Sequence, residues 1–214
     1  NKKSKKIFSS IFFERLDLRD MKGIKNTYNK IIKKHGCPDV FVNCSYPRTA
    51  DWARNNFSKI SLKSLTKNIN YHLVSYTYLA RTTAELMKKK GKKSGSIVQF
   101  GSIYGVLGQD LNIYKGTNIK ENVSYSVIKG GIVNLSKQMA SYYGSSNIRI
   151  NTICPGGVFD NQNKKFVKNY SRRVPLKRLA TKGEIAKVVV FLASEASSYI
   201  TGATIMVDGG WSAI

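Results

Sequence analysis

Apolar positions along the chain switch between two periods. Short apolar runs alternate with longer stretches whose apolar residues recur every three or four positions. SIFFERL (10–16), DVFVN (39–43), SIVQFGS (96–102), IRINTI (148–153) and ATIMVD (203–208) read as strands. Between them the spacing predicts helices over about 20–34, 61–90, 123–143 and 184–194. Leu62, Leu65, Ile69, Leu73, Tyr76, Leu79, Thr83 and Leu86 form the stripe of the second helix. Ile128, Ile132, Leu135 and Met139 form that of the third. Such alternation predicts an α/β fold, a parallel sheet wrapped by helices. No repeat or low-complexity linker interrupts it, so residues 1–214 are expected to form one domain.

The composition narrows the class. Of 214 residues, 42% are hydrophobic, enough for a core and too many for a disordered chain. No apolar run reaches the roughly 20 residues of a membrane span, and the opening NKKSKKIFSS is too polar for a secretory signal. Cys37, Cys44 and Cys154 lie far apart without a Cys-x-x-Cys pair, which predicts neither a metal site nor a disulfide framework and fits a reducing cytoplasm. The net charge of +24 invites a polyanion-binding reading. The lysines, however, fall in short groups such as Lys33-Lys34, Lys88 to Lys90 and Lys164-Lys165, with no aromatic-interleaved stripe, so nucleic acid is not the expected partner.

Candidate chemistry gathers at strand ends. Asn43, Ser102 and the Pro155-Gly156 turn each close a predicted strand. In open α/β sheets ligands sit outside the carboxyl ends of strands, so these positions should line one crevice. Each alone is also an ordinary turn former. Tyr125 and Lys129 lie four apart on a predicted helix, hence on one face, and no other of the twelve tyrosines has a lysine at that spacing. An ammonium beside a phenol favours the phenolate, which predicts a tyrosine pKa below its usual value of about 10. A solvated helix face is the alternative for the pair taken alone.

With DLRD (17–20), GSIYG (101–105), YSVIK (125–129), NIRINTICPGG (147–157) and the stretch 173–210, the chain from Leu16 onward resembles a short-chain dehydrogenase/reductase. The resemblance implies a Rossmann-type doubly wound sheet and NAD or NADP as cofactor. It implies that Tyr125 is the acid/base, with Lys129 as its partner and a ligand of the nicotinamide ribose, and that Ser102 holds the substrate oxygen. Asp17 and Leu18 would meet the adenine, Asn43 and Cys44 would border the cofactor, and Pro155, Gly156 and Val158 would lie against the nicotinamide. Tyr104, Arg48 and Asp160 would face a small polar, sugar-like substrate. Members of the family commonly form homodimers or homotetramers.

The chain departs from the pattern in places. It opens near the family's third strand, so the first βαβ unit and its Gly-rich phosphate loop are expected to precede it; without them the pyrophosphate has no helix N-terminus to rest on. Cys44-Ser45-Tyr46 replaces Asn-Ala-Gly, and Asp160 stands where a threonine is frequent. His72 falls where the family's helix asparagine sits, with Asn70 close by. It could anchor a water linking Lys129 to solvent, as that asparagine does in the family, relay a proton near neutral pH, or pack inside the helix layer. The stretch LGQDLNIYKGTNIKEN before Tyr125 is longer than usual and should lie over the crevice, with 159–173 as a lid. Lys164, Lys165, Arg172 and Arg173 there, together with Arg48, could meet an anionic sugar substrate. SIYG, this insert and PGGVFDNQ are similar to the subgroup of bacterial surface-glycan and nonulosonic-acid flagellin-modification pathways. Two further readings stay open: a non-catalytic ligand-binding protein on the same scaffold, and a charge-driven polyanion binder.

Overall fold

The strands that form are those with a neighbour to pair with. In the computed structural model, which describes residues 11–91 and 94–214, β1 (Val40–Asn43), β2 (Gly95–Phe100), β3 (Ile148–Pro155) and β4 (Thr204–Val207) pair in that order, all parallel. Val42 stands opposite Val98, Val98 opposite Asn151, and Thr152 opposite Thr204. The strand expected over 10–16 is not one. Ser10 lies outside the described residues, and 11–16 are irregular, with Phe12 and Phe13 exposed. Among the described residues no backbone supplies this segment with a ladder, and an apolar run without one gains nothing by staying extended.

The side-chain period of two sends successive strand residues to opposite faces. Ile97, Ile148 and Ile150 pack against Ala80, Ala84 and Met87 of one helix and Met139, Ala140 and Tyr143 of another. Val98 and Ile153 pack instead against Ile185 and Leu192. The result is three layers. Ile24–His35 (α1), Leu62–Asn68 (α2), Ser75–Lys89 (α3) and Val123–Tyr143 (α4) precede β3, while Lys164–Arg173 (α5) and Lys182–Ala193 (α6) separate β3 from β4. Full burial of side chains such as Ile97, Ile150 and Met87 contributes about 1.5–3 kcal/mol each.

The helix expected over 61–90 is divided. A π-helical turn, Ile69–Val74, joins α2 to α3. Bonding to the fifth residue inserts an extra position and rotates the stripe. Leu62, expected to face inward, is therefore 81% exposed, while Tyr76, Leu79, Ala80, Thr83 and Met87 are buried. Chain polarity also fixes the helix starts. Ser61 caps α2, Asn122 caps α4, and Thr181 with Glu184 forms a capping box on α6.

Candidate active site

A buried polar knot holds the start of α4. The Asn122 side-chain oxygen accepts from the Tyr125 N–H at 2.9 Å, and its amide donates to the Trp52 carbonyl at 2.9 Å. Ser124 donates to Asn55, whose amide donates in turn to Ser64, and Asn68 donates to Thr49 and Asn55. From the insert, Gln109 donates to the Asn122 carbonyl and to Ser126. One turn on, Gly105 lies against the α4 backbone, where a Cβ would fall 2.6 Å from the Lys129 carbonyl oxygen. The Ile103–Gly105 turn can therefore seat Ser102 beside this helix only with glycine at that point.

Ser102, Tyr125 and Lys129 converge here. Ser102 is 4% exposed, accepts from the Tyr104 N–H at 3.2 Å, and lies close enough to the Tyr125 phenol to favour its ionised form. Lys129, also 4% exposed, donates from Nζ to the Phe100 carbonyl at 2.7 Å. Its ammonium lies 5.7 Å from the Tyr125 ring centroid and 5.8 Å from those of Tyr46 and Tyr76, inside an aromatic cage. Burial pulls the ammonium down to a pKa of about 8. The expected fall in the Tyr125 pKa does not occur. Burial raises it, and the Ser102 hydroxyl opposes that only in part. The ammonium stands over the ring and donates one of its hydrogens to Phe100, and desolvation of the phenolate is the larger effect.

His72 sits on the π turn, fully buried, with its ring 5.5 Å from Tyr46 and 4.9 Å from Tyr76. Neither ring nitrogen has a hydrogen-bond partner among the described residues. Burial first, then the Lys129 cation, hold its pKa at about 3, so it is neutral near pH 7 and does not carry the proton charge expected of a relay. Asn70 is exposed. The linkage has a definite sign. The unfolded chain takes up a proton near pH 6.5 and the folded one only near 3, so stability falls as pH drops through that window. In His72→Phe, acid titration of the denaturant midpoint should show a shallower fall; an unchanged slope would assign the acid limb to other groups.

A crevice of about 660 Å³ opens at the carboxyl ends of β1, β2 and β3. Of the residues named from the sequence, Cys44, Tyr125, Lys129, Pro155, Gly156 and Val158 line it. Asn43 and Ser102 are buried and are not part of its lining. Asp17 and Leu18 are also absent from it. Arg19 chelates the Asp17 carboxylate, at 2.9 and 3.0 Å, holding its pKa down at about 2, and Leu18 packs on Ile24, Tyr28 and Leu79. Tyr104 stands edge-on to Trp211, Arg48 lies 5.0 Å over the Tyr46 ring, and Asp160 pairs with Lys182 at 2.8 Å. None of these three lines the crevice.

Several contributors escaped the sequence reading. Tyr46 lines the crevice, edge-on to Tyr125 at 5.9 Å and to Trp52 at 5.6 Å. No periodic signal marks it. Asn122 was within reach, because an asparagine just before an apolar-periodic run is a helix-start signature. Lys182 and the α6 side chains Ile185, Ala186, Val189 and Val190 form the far wall.

Fold and site together define an open α/β protein whose parallel sheet carries a Ser-Tyr-Lys set near the carboxyl ends of its strands. The chain belongs to the short-chain dehydrogenase/reductase family of oxidoreductases. A family sequence model described as enoyl-(acyl carrier protein) reductase matches residues 2–212. Post-translational flagellin modification protein A of Campylobacter coli is 32% identical over 197 residues, 92% of this chain and 76% of that protein. A 3-oxoacyl-[acyl-carrier-protein] reductase of Buchnera aphidicola is 32% identical over 199 residues, covering 91% and 75% of the two chains. A short-chain dehydrogenase of Leptospira borgpetersenii, solved with NAD+ bound, superposes with a TM-score of 0.81 at 33% identity, over 91% of this chain and 73% of that one. Among the described residues no helix is long and apolar enough to cross a membrane, and no cluster of ligating side chains could hold a metal.

Proposed function

We propose that the protein interconverts a secondary hydroxyl and a carbonyl on a small polar, sugar-like substrate, using NAD(H) or NADP(H). The observation that carries this reading is the convergence of the buried Ser102 and Lys129 on Tyr125, at a crevice large enough for part of a dinucleotide. The lining fits the nicotinamide half. Pro155, Gly156 and Val158 offer an apolar wall, and Lys129 a donor for ribose hydroxyls. Bound there, the cofactor supplies or accepts the hydride.

This chain's residues supply the rest. Hydride arrival at a carbonyl carbon leaves charge on the oxygen, which needs a proton and a donor. Tyr125, held protonated by burial, gives that proton, while Ser102 holds the same oxygen. Lys129 supplies positive charge beside the ring, and Tyr46 and Trp52 flank that ring edge-on. The likeness to the flagellin-modification protein supports a sugar-like substrate. Exposed Leu62, Val74, Val127 and Tyr142 on the helical layer of α2 to α4 support a homodimer or homotetramer.

The test is hydride transfer itself. Carbonyl sugars presented with NADH or NADPH should be reduced, and deuterium at the transferred position of the nicotinamide should slow the single-turnover rate by about two- to fourfold, as expected when chemistry limits. The raised Tyr125 pKa and the Lys129–Phe100 contact favour a second reading, a ligand-binding protein without turnover. Cofactor binding with no hydride transfer across the panel would select it.

A further inference from the structure

A second cleft, of about 570 Å³, lies between the insert that precedes α4 and the lid helix α5. It shares no residue with the crevice at Tyr125. Lys115 comes from the insert, and Lys165, Arg172 and Arg173 from one side of α5. The one carboxylate in its wall, Asp110, is already engaged. It accepts the Asn112 backbone and side-chain N–H groups at 2.9 Å and stands 3.6 Å from Arg173.

Three details mark a built site, not a scatter of surface charge. Asn169 on α5 donates to the carbonyls of Ile113 and Lys115, at 3.2 and 3.0 Å, so the two walls are tied together. The Lys165 side chain is laid into the cleft over Gly116, whose φ of +68 puts a missing Cβ where the ammonium lies. Arg173 is fixed 5.1 Å over Trp211 and donates to the Ile214 carbonyl at 2.6 Å, yet its Nη1 is buried with no hydrogen-bond partner. Buried donors are rarely left unpaired. Lys115, Lys165 and Arg172 have no ion-pair partner among the described residues either.

We propose that this cleft binds a phosphate-bearing ligand. Cations gathered against one neutralised carboxylate repel each other until a multiply charged anion joins them. The Lys115 and Lys165 ammoniums beside the Arg172 guanidinium fork suit phosphate oxygens, which accept from several directions at once, and the fixed Arg173 adds positive charge behind them. Through Phe166, stacked on Tyr114, and Tyr170, which accepts the Gly157 N–H, the same helix reaches the turn of the crevice. A bound phosphate therefore clamps the insert to the lid.

Isothermal titration tests this without cofactor or turnover, so its outcome is separate from that of the dehydrogenase reading. Inorganic pyrophosphate is titrated at about 0.15 M salt, where the screening length is about 8 Å. Wild type should bind it, and Lys115→Ala/Lys165→Ala should weaken binding at least about tenfold. Lys164→Ala/Lys168→Ala removes equal charge from the same helix outside the cleft and should leave binding unchanged. All four lysines are exposed, so the variants should fold, which circular dichroism checks. A second titration with UDP-glucose separates the sources. Binding about tenfold tighter than pyrophosphate identifies a phosphate carried by a larger substrate, and equal binding identifies a free phosphate site. Absence of pyrophosphate binding to wild type, or equal weakening in both double variants, overturns the proposal.

Discussion

Tyr125→Phe should bind NADH as wild type does and lose turnover by about 10²- to 10⁴-fold, the contribution of a placed general acid. The change deletes one oxygen and keeps the ring, whose edge-on contacts with Tyr46 at 5.9 Å and Trp52 at 6.3 Å do not involve the hydroxyl. Ser102 stays within reach of the reacting oxygen but has no proton source behind it. Burial holds the Tyr125 proton on, so reduction of the carbonyl should run across neutral pH while oxidation of the alcohol speeds up as pH rises. Stopped-flow NADH consumption with cofactor affinity measured in parallel separates chemistry from binding. A variant within about threefold of wild type would remove the tyrosine from the reaction.

Lys129→Met should make the protein more stable and less active together. Burial lowers the lysine from 10.5 to about 8, and at about 1.4 kcal/mol per unit the charged form costs the fold on the order of 3 kcal/mol at pH 7. Methionine fills a similar volume without the charge. Loss of the hydrogen bond to the Phe100 carbonyl offsets about 1 kcal/mol, leaving a gain of roughly 1–2 kcal/mol. The pH dependence gives a second readout. Between about 8 and 10.5 the unfolded wild type holds a proton that the folded state has released, so wild-type stability rises with pH there; below about 8 the full cost is present. That rise should vanish in Lys129→Met. Turnover should fall by about 10²-fold as the positive charge beside Tyr125 disappears. Urea denaturation at pH 7 and pH 10 decides it: a variant that is less stable at pH 7 and keeps the alkaline rise contradicts the burial argument.

The sheet was legible because β2 and β3 are buried on both faces and read as near-continuous apolar runs, and because helices between them forced a parallel order. Residues 11–16 carry an equally apolar run and misled for the same reason, since periodicity says nothing about whether a partner is present. Tyr125, Lys129 and the Pro155-Gly156 turn were readable from spacing and strand ends. Their electrostatics were not. Whether an ammonium lowers a phenol's pKa depends on its distance from the oxygen and on burial, and neither is written in Tyr-x-x-x-Lys. The π turn was hidden as well, because His72 could be placed on a helix but its lack of partners depends on Tyr46 and Tyr76 closing around it.

The Tyr76 hydroxyl lies 2.8 Å from the carbonyl oxygens of both Asn43 and Ser45. One phenol thus bolts the rim of the crevice to a helix anchored in the sheet layer. The rim is therefore not an independent flap: any tilt of α3 from repacking its buried face is carried as a lever stroke to Tyr46 and so to Tyr125.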